Sequence, residues 1–265
     1  MRVAAVQMCS TPDKQGNLDR AGQLVAGAAD AGAQLVALPE LFNLWGSARE
    51  LRDAAEPLDG PSITWARETA TAHGITLLAG SVVERSTRDG EHLHNTSCLI
   101  DPTGTIIGTY RKIHLFDVDV PGAVHRESAT ITAGNEIVVV DAAPLRVGMA
   151  TCYDLRFPEL FRMMLDGGAE FFLVCSAWPL VRLEHWLLLN RSRALENFAF
   201  LVSANSTGMS EGTQMGGHGM IVGPTGKVVA SGTEEEGIVW GEIDRESVLE
   251  ARATFPALRD RVYRS

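Results

Sequence analysis

The segment Val147-Gly148-Met149-Ala150-Thr151-Cys152-Tyr153-Asp154-Leu155-Arg156-Phe157-Pro158-Glu159-Leu160 runs from an apolar strand pattern into a helix pattern, with one cysteine at the joint. A strand end fixes the Cα there, and the N–H groups and dipole of a following helix N-terminus lower a thiol pKa. The joint therefore predicts an activated thiol at Cys152. Cys9, Cys98 and Cys175 lie in strand-like apolar sequence and read as structural, since free cysteine is among the residues most often buried. To attack a neutral carbonyl near pH 7, a thiol needs a base for its proton and a donor for the developing oxyanion. His73, His92, His94, His114, His125, His185 and His218 are all available, and none has a spacing that ties it to Cys152. Glu40 and Lys112 stand out instead, because each closes a buried strand pattern where a charge is costly unless it is paired or working. Singly, each fits a structural ion pair. With Cys152 they supply a base, a cation and a nucleophile.

Three distant strand ends must meet for that chemistry. A strand is expected over 3–8, then a helix over 18–31 capped by Asn17, with Leu18, Ala21, Leu24, Val25 and Ala28 on one face. The continuous apolar run Leu35-Val36-Ala37-Leu38 predicts a strand buried on both faces, stopped by Pro39 and delivering Glu40. Helices are expected over 48–55 and 61–73, the second with Pro61 in its first turn. Strands over 76–83, 96–100 and 105–110, joined by the polar link 85–92 and the turn Asp101-Pro102-Thr103-Gly104, read as an antiparallel meander ending at Arg111-Lys112. Periodicity then fails over 113–135. A loop this long is expected to be folded and functional, given its Phe116, Val118, Val120 and histidines. Strands over 137–140 and 145–150 lead to Cys152, followed by a helix over 158–165 and a strand over 171–175. Trp178-Pro179 forms a loop before a strongly amphipathic helix over 183–197; strands over 200–204, 219–222, 228–230 and 238–243 precede a last helix that begins near Asp244. The charged tail over 255–265 is a candidate for exchange onto a partner chain.

The chain repeats itself once. Gly32-Ala33-Gln34-Leu35-Val36-Ala37-Leu38 is echoed by Gly168-Ala169-Glu170-Phe171-Phe172-Leu173-Val174, and Pro102-Thr103-Gly104-Thr105-Ile106-Ile107 by Pro224-Thr225-Gly226-Lys227-Val228-Val229. Two echoes at similar offsets predict two similar halves rather than a solenoid of short repeats. Two sheets face to face with helices outside would bury both halves, giving an α/β, four-layer α-β-β-α sandwich in one domain over 1–265. Such a length is within reach of a single α/β domain. With 33 acidic against 23 basic residues, the net charge of −10 argues against a nucleic-acid surface or a polybasic membrane patch. No apolar run approaches the ~18 residues of a membrane span, and the apolar run at the N-terminus is too short for a signal peptide. Four cysteines without a C-x-x-C pair suggest neither a disulfide framework nor a zinc site, and predict a soluble protein of the reducing cytoplasm.

With these residues in view, the sequence resembles the nitrilase superfamily of carbon–nitrogen hydrolases over essentially its whole length. The family's Glu-Lys-Cys triad is matched by Glu40 in Leu38-Pro39-Glu40, Lys112 in Tyr110-Arg111-Lys112-Ile113-His114-Leu115, and Cys152 in Cys152-Tyr153-Asp154-Leu155-Arg156-Phe157-Pro158-Glu159. Glu127, in Arg126-Glu127-Ser128, matches the second glutamate of such enzymes. Arg191-Ser192-Arg193-Ala194-Leu195-Glu196-Asn197 and Gly217-His218-Gly219 are consistent and less specific. Within the family, Lys112 followed by Phe116-Asp117-Val118-Asp119-Val120-Pro121-Gly122, and Trp178-Pro179, look like the omega-amidases and deaminated-glutathione amidases. Cys152-Tyr153-Asp154 resembles the amidase side rather than nitrilases.

The resemblance implies the same four-layer sandwich of two mixed sheets with an internal pseudo-two-fold. It implies hydrolysis of a small primary amide, such as a 2-oxo dicarboxylate monoamide or deaminated glutathione, to carboxylate and ammonia through a cysteine thioester. Glu40 would serve as base and then acid, and Lys112 with the Tyr153 N–H would hold the oxyanion. Phe116, Trp178 and Arg182 are candidate substrate contacts. Arg156 is a further candidate by charge, although Glu159 could pair with it instead. No metal or organic cofactor is implied, and the partner is the amide substrate. A homodimer or higher homo-oligomer is expected, pairing the apolar faces of the helix after Cys152 and the helix over 183–197. The alternatives are an N-carbamoyl amino-acid amidohydrolase or other C–N hydrolase, and a catalytically silent interaction protein on the same scaffold.

Overall fold

The computed structural model describes residues 1–86, 92–120, 123–142 and 144–263. The first half opens with β1 (Arg2–Gln7) and α1 (Lys14–Asp30), then β2 (Leu35–Ala37), α2 (Ala48–Asp53), α3 (Pro61–His73), β3 (Thr76–Ser86), β4 (His92–Ile100) and β5 (Ile106–Arg111). A hairpin of β6 (Asp117–Val120) and β7 (Ala123–Arg126) links it to the second half, β8 (Val139–Ala142), β9 (Leu145–Thr151), α4 (Pro158–Asp166), β10 (Phe171–Ser176), α5 (Leu183–Asn197) and β11 (Phe200–Asn205). A second hairpin, β12 (Thr207–Ser210) and β13 (Thr213–Gly216), is followed by β14 (Met220–Val222), β15 (Val228–Ser231), β16 (Gly237–Glu242) and α6 (Arg245–Thr254).

The strands form two six-stranded mixed sheets of one design. In the first, β1, β2 and β3 run parallel, with β16 antiparallel beside β1 and β4 and β5 antiparallel beyond β3. In the second, β9, β10 and β11 run parallel, flanked by antiparallel β8 on one side and β14 and β15 on the other. The echoed segments fall on equivalent elements: β2 with β10, and the β4–β5 turn with the β14–β15 turn.

Strand periodicity explains the layering. Successive side chains of a strand point to opposite faces. Val3 and Ala5 of β1 accordingly pack with Phe171, Leu173 and Cys175 of β10 in the core between the sheets. Ala4 and Val6 face outward onto Leu18, Ala21, Leu24 and Val25 of α1 and Ile63, Ala66 and Ala70 of α3. Phe172 and Val174 face outward onto Leu160, Phe161 and Met164 of α4 and Trp186 and Ala194 of α5. Three cores between four layers are the reason these strands read as continuous apolar runs.

Some local expectations are corrected. α1 is capped by Asp13, which accepts the Gly16 N–H, while Asn17 is buried in its first turn and donates to the carbonyls of Thr11 and Asn43. The stretch over 113–135 is ordered as the β6–β7 hairpin and a 3-10 turn, Glu127–Ala129; its Pro121 and Gly122 lie outside the described residues, as do 87–91 of the polar link. α5 is less amphipathic than its sequence promised. Its inward face carries Asn190, Arg193 and Asn197, while Leu188 and Leu195 stay exposed. The asparagine Nδ2 groups bond back to the Trp186 and Arg193 carbonyls and Arg193 to the Leu155 carbonyl, while the Oδ1 atoms of Asn190 and Asn197 are buried without a hydrogen-bond partner among the described residues. In the tail, Arg261 forms a bidentate pair with Asp166 at the end of α4 of the same chain; residues 264–265 lie outside the described residues.

Candidate active site

Three strand ends deliver the charged groups to one place between the sheets. Glu40 follows β2 where the chain turns sharply, with Leu41 at φ 52° and its N–H donating to Ser81 Oγ at 2.8 Å. The turn presses against β3 so closely that a Cβ on Gly80 would lie 2.1 Å from the Leu38 and Pro39 carbonyl oxygens, and β3 bulges there. Glycine at this position lets the carboxylate seat itself. Lys112 follows β5 and is 2 % exposed. Its Nζ donates to Glu40 Oε1 at 3.0 Å and to Glu127 Oε1 and Oε2 at 3.1 and 2.9 Å. Cys152 follows β9 with φ 49°, a left-handed conformation costly for a residue with a Cβ and concentrated at functional sites.

The carboxylates are held from several sides. Asn95 Nδ2 donates to Glu40 Oε1 at 2.8 Å and to Glu127 Oε1 at 3.2 Å. The Ala177 N–H donates to Glu40 Oε2 at 2.9 Å, and the Phe116 N–H to Glu127 Oε2 at 2.7 Å. Burial alone would raise Glu127 and lower Lys112. The opposite charges prevail: Lys112, with the Phe116 and Asn95 donors, holds Glu127 below the ordinary carboxylate value, and Glu127 and Glu40 hold Lys112 well above the ordinary lysine value. Both therefore stay ionised at neutral pH.

The thiol departs from expectation. Burial pushes the Cys152 pKa up, Glu40 pushes it the same way, and Lys112 only opposes them. A 3-10 turn, Cys152–Arg156, separates the sulfur from α4, so it does not sit on that helix's N-terminus. The resting site thus holds a neutral thiol beside a carboxylate rather than a thiolate.

Above this floor opens a cavity of about 690 Å³, within the size range of small-ligand pockets. All eight residues singled out in the sequence line it: Glu40, Lys112, Phe116, Glu127, Cys152, Tyr153, Trp178 and Arg182. Phe116 packs edge-on against Tyr153 at 5.1 Å and lies beneath the Arg182 guanidinium at 5.7 Å. Trp178 is 2 % exposed, more wall than contact; its Nε1 donates to the Arg182 carbonyl at 2.8 Å, and the Arg156 guanidinium lies over its ring at 4.8 Å. Arg156 contacts His185 Nδ1 at 3.2 Å rather than Glu159. Among the described residues, neither Arg156 nor Arg182 has a carboxylate partner. Asn95 was missed by sequence reasoning; the polar run His94-Asn95-Thr96-Ser97 inside a buried strand was its signal. Among the described residues, no group of three or more His, Cys, Asp or Glu side chains is placed to hold a metal ion, and no helix is long and apolar enough to cross a membrane.

Known proteins share both the sequence and this fold. The family model described as carbon-nitrogen hydrolase matches residues 2–253. The chain is 36 % identical to omega-amidase NIT2 of Xenopus tropicalis, over 98 % of this chain and 94 % of that protein. It is 37 % identical to the 2-oxoglutaramate amidase of Paenarthrobacter nicotinovorans, over 98 % and 88 %. The crystal structure of Saccharomyces cerevisiae Nit3, a member of branch 10 of the nitrilase superfamily, superposes with a TM-score of 0.90 at 31 % identity, covering 99 % of this chain and 97 % of that one.

Proposed function

The chain belongs to the carbon–nitrogen hydrolase family, and from that premise we propose that it is an omega-amidase whose triad is Glu40, Lys112 and Cys152. The reading rests on one observation: a buried lysine shared by two carboxylates, Glu40 and Glu127, beside a neutral thiol. Loss of the thiol proton to solvent would add a negative charge to this buried cluster, which burial penalises. Transfer of that proton to Glu40 leaves the charge unchanged, so Glu40 is the base that the raised thiol pKa demands.

The reaction then follows. Glu40 takes the Cys152 proton, and the sulfur attacks the amide carbon. Lys112 and the Tyr153 N–H, at the start of a turn where amides lack intrahelical acceptors, hold the tetrahedral oxyanion. The C–N bond breaks, and ammonia leaves with the proton from Glu40. Water gives a proton to the same carboxylate and attacks the thioester, releasing the acid and restoring the thiol. Glu127 touches no reacting atom in this scheme; it keeps Lys112 charged and aimed.

The rim suits a substrate with a remote carboxylate. Arg156 and Arg182 stand half-buried on aromatic faces without anionic partners among the described residues, and burial holds Arg156 below its ordinary value. A carboxylate would satisfy such a pair by charge-assisted bonds. One relative is named for a 2-oxo dicarboxylate monoamide, 2-oxoglutaramate, and the other is named an omega-amidase, which supports the same reading. The test is ammonia release from 2-oxoglutaramate, 2-oxosuccinamate, deaminated glutathione and an N-carbamoyl amino acid, with Cys152→Ala alongside. Turnover of the monoamides and none by Cys152→Ala is expected; preference for the carbamoyl compound would favour a carbamoylase, and an active Cys152→Ala would sink the triad.

The same reading takes residues 1–265 as one cytoplasmic domain that works as a homodimer, for which Met163 on α4 and Leu188 and Leu195 on α5 offer exposed apolar surface. A sedimentation mass of one chain would refute the dimer.

A further inference from the structure

Asp154 sits between the two reacting arms with no part yet in the reaction. Its side chain is wholly buried and its oxygens face four donors. Oδ2 accepts the Tyr110 hydroxyl at 2.6 Å and the Thr151 N–H at 2.8 Å. Oδ1 accepts the His114 N–H at 3.2 Å and faces His114 Nδ1 at 2.7 Å. The Tyr110 oxygen in turn accepts the Ile113 N–H at 3.3 Å, and the His114 ring stacks on Phe157 with centroids 3.7 Å apart. Burial, reinforced by Asp154, raises Tyr110 well above its ordinary value, so its hydroxyl remains a donor.

The placement of these donors is informative. Tyr110, at the end of β5, and Ile113 and His114, just beyond it, bracket Lys112. Thr151, at the end of β9, and Asp154, in the turn that follows, bracket Cys152. We infer that Asp154 is a positioning residue that fixes the Cys152 sulfur against the Lys112 ammonium across the seam between the sheets. This rests on the triad proposed above.

Chemistry dictates the residue type. An ionised carboxylate is acceptor-only and can take all four donors. Asparagine would turn an NH₂ toward one pair. Facing His114 is its least costly orientation, because the ring can switch tautomer and accept at Nδ1, yet the His114 N–H is then left without a partner. The apolar core holds the sheets together, but apolar burial is non-directional and sets no fixed orientation between the two reacting residues. The carboxylate reaches the residues beside both, and closes a short loop over Cys152 through the Thr151 N–H, steadying the left-handed conformation. A displacement of about 1 Å in such a site can cost ~100-fold in rate.

The test compares kcat, KM and melting temperature of the full chain, on the best amide of the panel, for Asp154→Asn, Tyr110→Phe, Cys152→Ala and the core variant Val248→Ala. Asp154→Asn is expected to lower kcat about 100-fold with KM within about threefold, and Tyr110→Phe to lower kcat about tenfold. Val248→Ala, which removes buried volume on α6, is expected to lower the melting temperature and keep kcat. A folded Asp154→Asn with kcat near that of the wild type would overturn the inference, as would an equal loss of kcat in Val248→Ala at a matched loss of melting temperature. If Asp154→Asn does not fold, Tyr110→Phe decides, and an unchanged kcat there overturns it. Turnover by Cys152→Ala would instead remove the triad itself, whatever the Asp154 result.

Discussion

The floor of the cavity and its rim are built from different parts of the chain, and under the proposed function the difference separates chemistry from selection. Floor groups follow the ends of β2, β5 and β9, and the Glu40 carboxylate and Lys112 ammonium are held by fixed neighbours. Rim groups stand on connections: Phe116 just before β6, Arg156 in the turn after Cys152, and Arg182 in the short 3-10 turn before α5. Their charges have aromatic faces for support and no carboxylate among the described residues. Loops on a rigid scaffold can change without disturbing what they surround. Floor substitutions should therefore act on kcat and rim substitutions on KM.

Several substitutions would sharpen or break that division. Glu40→Gln keeps the shape of the floor and removes the proposed base beside the thiol; kcat should fall about 1,000-fold or more, and steady-state ammonia release near the wild-type rate would end the assignment. Glu127→Gln should cost kcat about 100-fold by loosening Lys112, with a pH signature. Glu127 has a depressed folded pKa, so the stability it contributes is present above the ordinary carboxylate value and is lost as pH falls through the depressed one. The gap in melting temperature between wild type and Glu127→Gln should accordingly be widest near neutrality and close in acid. Arg182→Ala and Arg156→Ala should each raise KM for a dicarboxylate monoamide about tenfold with kcat little changed; an unchanged KM would detach the rim from carboxylate recognition. Least visible will be the other core thiols. Burial pushes Cys98 up to about 12 and raises Cys175 as well, so a thiol reagent should modify Cys152, which opens onto the cavity, well before either, as peptide mapping would record.

The floor was legible in the sequence because a charge that ends a buried strand has few uses, and Glu40 and Lys112 are such charges. The two-sheet plan was legible because the echoed segments carry the same strand and the same turn. What escaped depended on distant contacts. Asn17 looked like a cap, yet the carbonyl of Asn43 draws its side chain inward. The β12–β13 hairpin, Thr207–Gly216, has glycines and polar residues on both sides of its turn and no alternation to betray it. The sign of the thiol shift was misread because a helix dipole is a local cue, whereas the carboxylate that pushes the thiol up arrives from the other sheet.

The position of β16 carries a consequence for how the chain acquires its shape. This strand seals the edge of β1, and the Met1 amino group donates to the Ile243 carbonyl across 242 positions of sequence. All of the second sheet lies between these partners. The first sheet therefore cannot complete its hydrogen-bonding until the second has been synthesised, and contacts of such separation are slow to close. During synthesis β1 presents an open edge, the kind that recruits stray strands. The half that carries Glu40 and Lys112 is thus begun first and finished last.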